Sequence, residues 1–250
     1  MRLADALALP AAAQVAITGA GGKTSTLFHL ARSLPGITWV TTTTHLGVKQ
    51  AQLADQHFIL DSPDELGSPM LLAKKVTLIT GLMTIDYRLQ SPEEAMLEEM
   101  HRQAKQKGVT LLVEADGARQ LALKAPAAHE PSIPPWIEVV IVCAGLSAIG
   151  QPLSAEWVHR PELYSALSGL KLGEAITPDA AARVLLHPQG GLKGIPPAAR
   201  RIALLNQEDT LDDQVSARSM AEGLLAGGYD GVYITSMRDH PEDGTWIPKS

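Results

Sequence analysis

The 250-residue chain has little of what small or secreted proteins lean on. It holds one cysteine, Cys143, and aromatic residues make up 4% of it. A single thiol excludes an intramolecular disulfide framework and fits a reducing compartment. Nowhere do about 18 apolar residues run together, so no membrane-spanning helix is predicted. No basic run of the kind that grips nucleic acid or an anionic membrane is present, and a formal charge of −6 argues against binding a phosphate backbone. The opening, MRLADALALPAAAQVAI, resembles a secretory signal, but Asp5 interrupts its apolar region and a glycine-rich motif follows at once. It reads as a short helix leading into the fold, and the protein as cytoplasmic.

Alanine, leucine, glycine and proline are plentiful instead. A chain of this length buries roughly 70–75% of its extended surface on folding, enough for a core without metal or disulfide. Short apolar runs recur at Gln14 to Thr18, Ile37 to Thr42, His57 to Leu60, Val76 to Thr80, Val109 to Val113, Glu138 to Cys143, Arg201 to Leu205 and Gly231 to Ser236. Helical stretches separate several of them. Ser91-Pro92-Glu93-Glu94 has the residues of a helix start, and Glu162 to Leu170 and Thr177 to His187 have helical patterning. The alternation predicts an α/β fold, a mostly parallel sheet with helices on both faces. One domain spanning 1–250 is predicted, with the glycine- and proline-rich stretch 117–200 as a lobe over the sheet's carboxyl edge, where ligands bind in such folds.

The most informative segment is Ile17-Thr18-Gly19-Ala20-Gly21-Gly22-Lys23-Thr24-Ser25-Thr26. It joins a predicted strand to a predicted helix, Lys23 to Leu34, whose Leu27, Leu30, Ala31 and Leu34 keep helical spacing. A glycine turn there aims main-chain N–H groups from Gly19 through Ser25 at one small volume, where the positive end of the helix dipole favours phosphate. Lys23 would reach the outer phosphates and the Thr24 hydroxyl would sit on magnesium. The full Walker pattern has a further glycine where Ile17 stands, so this is the shorter G-x-x-G-K-T form, P-loop NTPase-like in its setting. The alternative is a glycine-rich turn with an incidental lysine.

A second constellation is Glu114-Ala115-Asp116-Gly117, closing the strand that ends in Val113. Carboxylates spaced i, i+2 share one side of an extended chain. Glu114 is assigned as a metal-linked acid and Asp116 as a further metal or switch residue, with Lys23 completing the catalytic set. A third is Asn206-Gln207-Glu208-Asp209, which resembles the N-K-x-D guanine motif with glutamine in place of lysine. Asn206 and Asp209 are the nucleotide-binding candidates there, and an ordinary polar strand end is the alternative. Weaker candidates for a second substrate or partner are Thr44, His45, Arg119, Lys124, His129, His159, Arg160 and Lys193. Each is as readily a solvated or loop residue. Cys143, ending an apolar strand, reads as a buried structural thiol.

Together these stretches resemble the YqeC family of selenium-dependent hydroxylase accessory or selenium cofactor biosynthesis proteins. The resemblance runs through ITGAGGKTST, VTTTTHLG, LVEADGARQLALKAPAAHEPSIP, GQPLSAEWVHRPEL, TPDAAARVLLHPQGGLKGIP and LLNQED. It implies a P-loop NTPase acting with selenium-dependent molybdenum hydroxylases. Thr44, His45, Lys124, His129, His159 and Arg160 all fall inside the matching stretches.

The leading expectation is therefore a magnesium-dependent hydrolase of ATP or GTP that assists maturation of such a hydroxylase or its cofactor. Two others stand beside it. The short loop and the threonines after it look similar to those of Mur-type ligases, and the VEAD strand end to dethiobiotin synthetase, which suggests an ATP-dependent ligase or transferase working through a phosphorylated intermediate. The third is a nucleotide-switched chaperone with little turnover.

Overall fold

The structure, a computed structural model, describes residues 1–208, 214–238 and 242–249, and only the backbone of 214–216. The chain opens with α1 (Leu3–Leu7), β1 (Gln14–Gly19), α2 (Lys23–Ser33) and β2 (Thr38–Thr42). Next come β3 (His45–Gly47), α3 (Val48–Ala51), β4 (Gln56–Ile59), β5 (Val76–Thr80), β6 (Arg88–Gln90) and α4 (Glu94–Lys107). Then follow β7 (Thr110–Glu114), β8 (Leu123–Lys124), β9 (Val139–Gly145), β10 (Val158–His159), α5 (Pro161–Ser168) and α6 (Pro178–Leu186). The described chain finishes with β11 (Arg200–Asn206), α7 (Gln214–Ala226), β12 (Gly231–Ile234) and β13 (Thr245–Pro248).

Nine strands form one sheet in the order β13-β12-β11-β9-β1-β7-β2-β5-β4. Every neighbouring pair is parallel except β12 and β13. This is the mainly parallel α/β sheet that the apolar runs predict. Its central strands are buried on both faces, which is why they read as near-continuous apolar runs rather than alternating ones. Side chains still sort by face. Val15 and Ile17 pack with Leu27, Leu30 and Ala31 of α2, whereas Ala16 joins the core beneath α4, α5, α6 and α7. Among the described residues no helix is long and apolar enough to cross a membrane.

The topology fixes where a site can form. From β1 the chain builds toward β2, β5 and β4, returns to β7 beside β1, and then crosses to β9 on the other side. The loop after β1 therefore lies where the strand order reverses, at the carboxyl edge, the position at which open α/β sheets leave a crevice.

Beyond the short elements α3, β3, β6, β8 and β10, which the apolar runs do not mark, three larger ones depart from the sequence expectation. Helix α4 starts at Glu94 rather than at Ser91-Pro92. Ser91 donates its N–H to the Thr44 carbonyl at 2.9 Å and its hydroxyl to the Pro92 carbonyl at 2.7 Å, so tertiary pairing draws the capping serine out of the helix. Helix α7 and the antiparallel edge strand β13 were not anticipated; among the described residues no helix lies between β12 and β13 to announce the latter.

Helix α2 is the rigid piece under the loop, and its hold on the sheet rests on fully buried leucines. Replacing Leu30, 0% exposed, with alanine is predicted to lower unfolding free energy by about 2–5 kcal/mol. Urea denaturation should show a lower midpoint with an unchanged slope, and an unmoved midpoint would refute this packing.

Candidate functional site

The loop between β1 and α2 is shaped by its glycines. Gly19 has φ +88° and a Cβ there would run into the Cys143 carbonyl; Gly22, φ +115°, faces the Asn206 amide in the same way. The main-chain donors of this loop divide into two groups. Gly19 N–H donates to Asp116 Oδ2 at 3.0 Å, Ala20 N–H to the Cys143 carbonyl at 2.9 Å and Gly21 N–H to the Leu121 carbonyl at 2.9 Å. Those bonds fasten the loop to β7, β9 and the turn after β7. The N–H groups of Gly22, Lys23, Thr24 and Ser25 have no acceptor among the described residues, the first helical bond being Thr26 N–H to the Gly22 carbonyl at 2.9 Å. Four unsatisfied donors at a helix start attract an anion.

Lys23 is the first residue of α2 and only 5% exposed. Its ammonium folds back to donate to the Gly19 carbonyl at 2.9 Å and lies 3.3 Å from Asp116 Oδ1, close enough for an ion pair but not aligned as a hydrogen bond. Burial alone would lower its pKa, but the Asp116 and Glu114 carboxylates outweigh it and hold the pKa raised. Thr24 donates its hydroxyl to Glu114 Oε2 at 2.9 Å and accepts from Gln50 Nε2 at 2.9 Å. Burial pushes the Glu114 carboxyl up, with Lys23 and Thr24 opposing.

Asp116 is the junction of a longer chain of charges. Lys124 donates to Asp116 Oδ2 at 2.9 Å, to the Gly117 carbonyl at 2.6 Å and to Glu130 Oε2 at 2.7 Å, which uses all three of its protons. Arg160 grips Glu130 through two 2.9 Å bonds. Burial would raise the Glu130 pKa, but these two cations hold it down to about 2. Arg160 sits in the left-handed region at φ +66° as the cap of α5.

Two further non-glycine residues with positive φ stand side by side, Arg119 at +49° and Gln120 at +62°. Leu121 N–H donates to the Ala118 carbonyl at 3.0 Å and closes them into a mirror-image turn that ordinarily takes Asn-Gly. Such a backbone costs roughly 1–2 kcal/mol per residue with a Cβ. The Leu121 carbonyl, in turn, receives Gly21 N–H.

The remaining candidates fall at varied distances from this centre. Asn206 donates to the Gly21 carbonyl at 2.6 Å and accepts from Met237 N–H at 2.8 Å, so both ends of its amide brace main chain. Asp209 lies outside the described residues. Thr44 lies at the end of β2, its N–H on the Thr42 hydroxyl at 3.0 Å. His45 is exposed, and the His129 side chain is 80% exposed. Among the described residues no three His, Cys, Asp or Glu side chains gather as a metal site, so the histidines form no ligand cluster. Lys193 donates to the Ala127 and Ala128 carbonyls at 2.5 and 3.0 Å and pins the 124–130 segment. Burial pushes the Cys143 thiol up to about 12, consistent with an inert structural group.

Two residues that sequence reasoning passed over are central. Glu130 links Lys124 to Arg160, and Gln50 reaches Thr24 while accepting Gly47 N–H at 2.7 Å. The Gly-x-x-Gln start of α3 was the available signal for Gln50; nothing in periodicity marks Glu130. A cavity of about 30 Å³ is lined by Thr18, Gly19, Asp116, Lys124 and Tyr164 among others, and of these residues Tyr164 Oη and Asp116 Oδ1 are buried without hydrogen-bond partners. Ligand pockets take roughly 300–1,000 Å³. This one has room for water.

The comparisons with known proteins agree with one another. A family model described as "YqeC protein" matches residues 15–162, more than half of the chain. The chain is 29% identical over 247 residues to "Uncharacterized protein YqeC" of Escherichia coli (strain K12), covering 91% of this chain and 88% of that protein. No solved structure matches.

The charge chain yields two predictions. Lys124→Met strips two buried carboxylates of a shared cation and should cost about 3–5 kcal/mol in chemical denaturation; a change below about 1 kcal/mol would show the network to be dispensable. Burial, followed by the charges of Arg160, Lys124 and Arg119, pulls His159 down to about 4 from an ordinary 6.5. Between those values the unfolded chain binds the proton and the folded chain does not, so stability falls as pH drops through that window. Glu130 titrates lower, where its own contribution is lost. Thermal midpoints measured from pH 7 to pH 4 should fall, and His159→Gln should flatten that fall; identical slopes would remove His159 as the cause.

Proposed function

We propose a nucleotide-driven function for this chain, which belongs to the YqeC family. In this reading Gly19 to Gly21 shape the loop, Gly22 to Ser25 with the Lys23 ammonium bind the phosphate tail of a nucleoside triphosphate, ATP or GTP, and the chain hydrolyses it, P-loop NTPase-like, in support of maturing a selenium-dependent molybdenum hydroxylase. The observation that carries the reading is the row of four unpaired N–H groups from Gly22 to Ser25 with the Lys23 ammonium beside them. Unpaired N–H groups are ordinary at a helix start; what supports the reading is that a buried ammonium stands with them, the combination a phosphate group would use.

The residues present fit a magnesium ion. Thr24 Oγ1 and Glu114 Oε2 are hard oxygen donors 2.9 Å apart at the mouth of the loop. Magnesium takes one or two protein oxygens, completing its shell with phosphate oxygens and water, so a cluster of three carboxylates is not required. Thr24 and Glu114 would hold it, and when bound it would offset the charge of the phosphates. Asp116 is engaged by Gly19 N–H, Lys23 and Lys124, so it acts here by positioning Lys23 and the loop. On phosphate binding Lys23 exchanges the Gly19 carbonyl for a phosphate oxygen while keeping Asp116 within reach. Gln50 holds the Thr24 hydroxyl toward Glu114. The stretch 117–200 forms the wall over the nucleotide through Lys124, Glu130 and Arg160. The base is left open, because Asn206 is committed to main chain on both sides and Gln207 takes the Ser147 hydroxyl at 2.7 Å.

The test is calorimetric titration with ATP and with GTP, each with and without magnesium, on the wild type and on Lys23→Ala. Loss of a charge-assisted contact worth about 1.5–3 kcal/mol predicts a roughly 10- to 150-fold weaker Kd for the variant. Failure of both nucleotides to bind wild type in the presence of magnesium would end this reading.

A further inference from the structure

We infer that Arg119 is a catalytic residue of the proposed nucleotide site, a cation supplied in cis to the terminal phosphoryl group; the inference rests on the nucleotide-binding reading above. Arg119 follows the acidic end of β7 by five residues and occupies the first left-handed position of the 118–121 turn. That turn is tied to the glycine loop through Leu121, whose carbonyl accepts Gly21 N–H at 2.9 Å, and to the end of β9 through Ala122, whose carbonyl accepts Gly145 N–H at 2.8 Å. It cannot relax to an ordinary backbone without releasing the loop. Strain of this kind persists where the surroundings over-determine it, and it gathers at sites of function. A glycine at either position would relieve it, yet the chain carries Arg-Gln.

Charge pairing singles out the same residue. Of the cations named at this opening, Lys23 is paired with Asp116, Lys124 with Asp116 and Glu130, and Arg160 with Glu130. Arg119 has neither an ion pair nor a side-chain hydrogen bond among the described residues, and it is exposed. A triphosphate approaching Glu114 and Asp116 meets two carboxylates, and the cations already paired with them leave little charge for the γ-phosphoryl oxygens. A guanidinium on a rigid turn provides it at the stage when charge spreads over those oxygens.

The step balances without a further reagent. A water oxygen bonds to the γ-phosphorus as the bond from that phosphorus to the bridging oxygen breaks. The electron pair stays on the departing nucleoside diphosphate, and both water protons leave on inorganic phosphate as dihydrogenphosphate. Arg119 neither gives nor takes a proton.

The experiment measures phosphate release from MgATP and MgGTP by the full-length chain, alongside affinity for a non-hydrolysable analogue of whichever binds. Arg119→Ala should lower turnover at least about 100-fold while analogue affinity stays within about threefold and the thermal midpoint is unchanged. Arg119→Lys, which keeps the charge without the fork, should recover part of the loss. Gln120→Gly, which accepts the turn and leaves Arg119 in place, should turn over like wild type. Turnover by Arg119→Ala within about threefold of wild type overturns the inference and leaves nucleotide binding standing; so does a wild type that binds nucleotide yet releases no phosphate. A wild type that binds no nucleotide overturns both.

Discussion

The arrangement depends on where Asp116 sits. Its carboxylate takes the Gly19 N–H on one oxygen together with the Lys124 ammonium, and the Lys23 ammonium stands off the other. One side chain thereby ties the end of β1, the end of β7 and the start of α2 to each other. Only 2% of it is exposed, so each of these interactions acts at low dielectric and each would be costly to leave unmade. Two cations against one buried carboxylate would leave excess charge; Glu130 takes the surplus of Lys124, and Arg160 then takes the surplus of Glu130. The chain of pairs ends at Arg160, whose side chain is 24% exposed and reaches water. Buried ion pairs of this sort add little net stability, since desolvation offsets attraction, but they fix geometry.

Much of this fold was legible in the sequence, for one reason. Strands buried on both faces must be apolar almost throughout, and the runs at Val109 to Val113 and Glu138 to Cys143 have no other use; the structure has β7 and β9 there within one or two residues. The helix after the glycine motif was legible because Leu27, Leu30 and Ala31 keep the period of a single buried face. Legibility failed where partners are distant in sequence. Ser91 carries a local capping signal that its own N–H bond to the Thr44 carbonyl overrides. Glu130 stands in a stretch of alanine and proline with no periodicity, and its importance comes entirely from Lys124 and from Arg160, thirty residues on.

The site was legible as residue types rather than as contacts. Lys23, Thr24, Glu114 and Asp116 do meet, because β1 and β7 are parallel neighbours with Ile17 opposite Glu114. What sequence could not convey is direction. An N–H in a glycine loop can face a ligand or the protein, and spacing is silent on which. Gly19, Ala20 and Gly21 face the protein here. A loop that starts two positions later than the full Walker form has fewer donors to offer, and this one gives the first three to its own anchorage.

That division bears on how such a loop can work. Donors bound to Asp116, Cys143 and Leu121 hold the bend in shape before any ligand arrives, so little conformational entropy remains to be lost on binding. The donors left free are those of the first turn of α2, where the helix macrodipole adds to each N–H. In the proposed reading, preorganisation falls to the glycine half of the loop and anion recognition to the helical half. Lys23 stands at the seam, returning its ammonium to the Gly19 carbonyl. A lysine held this way by a carbonyl and a carboxylate stays charged and desolvated, and exchanging one oxygen acceptor for a more strongly charged one requires only a rotation of its side chain.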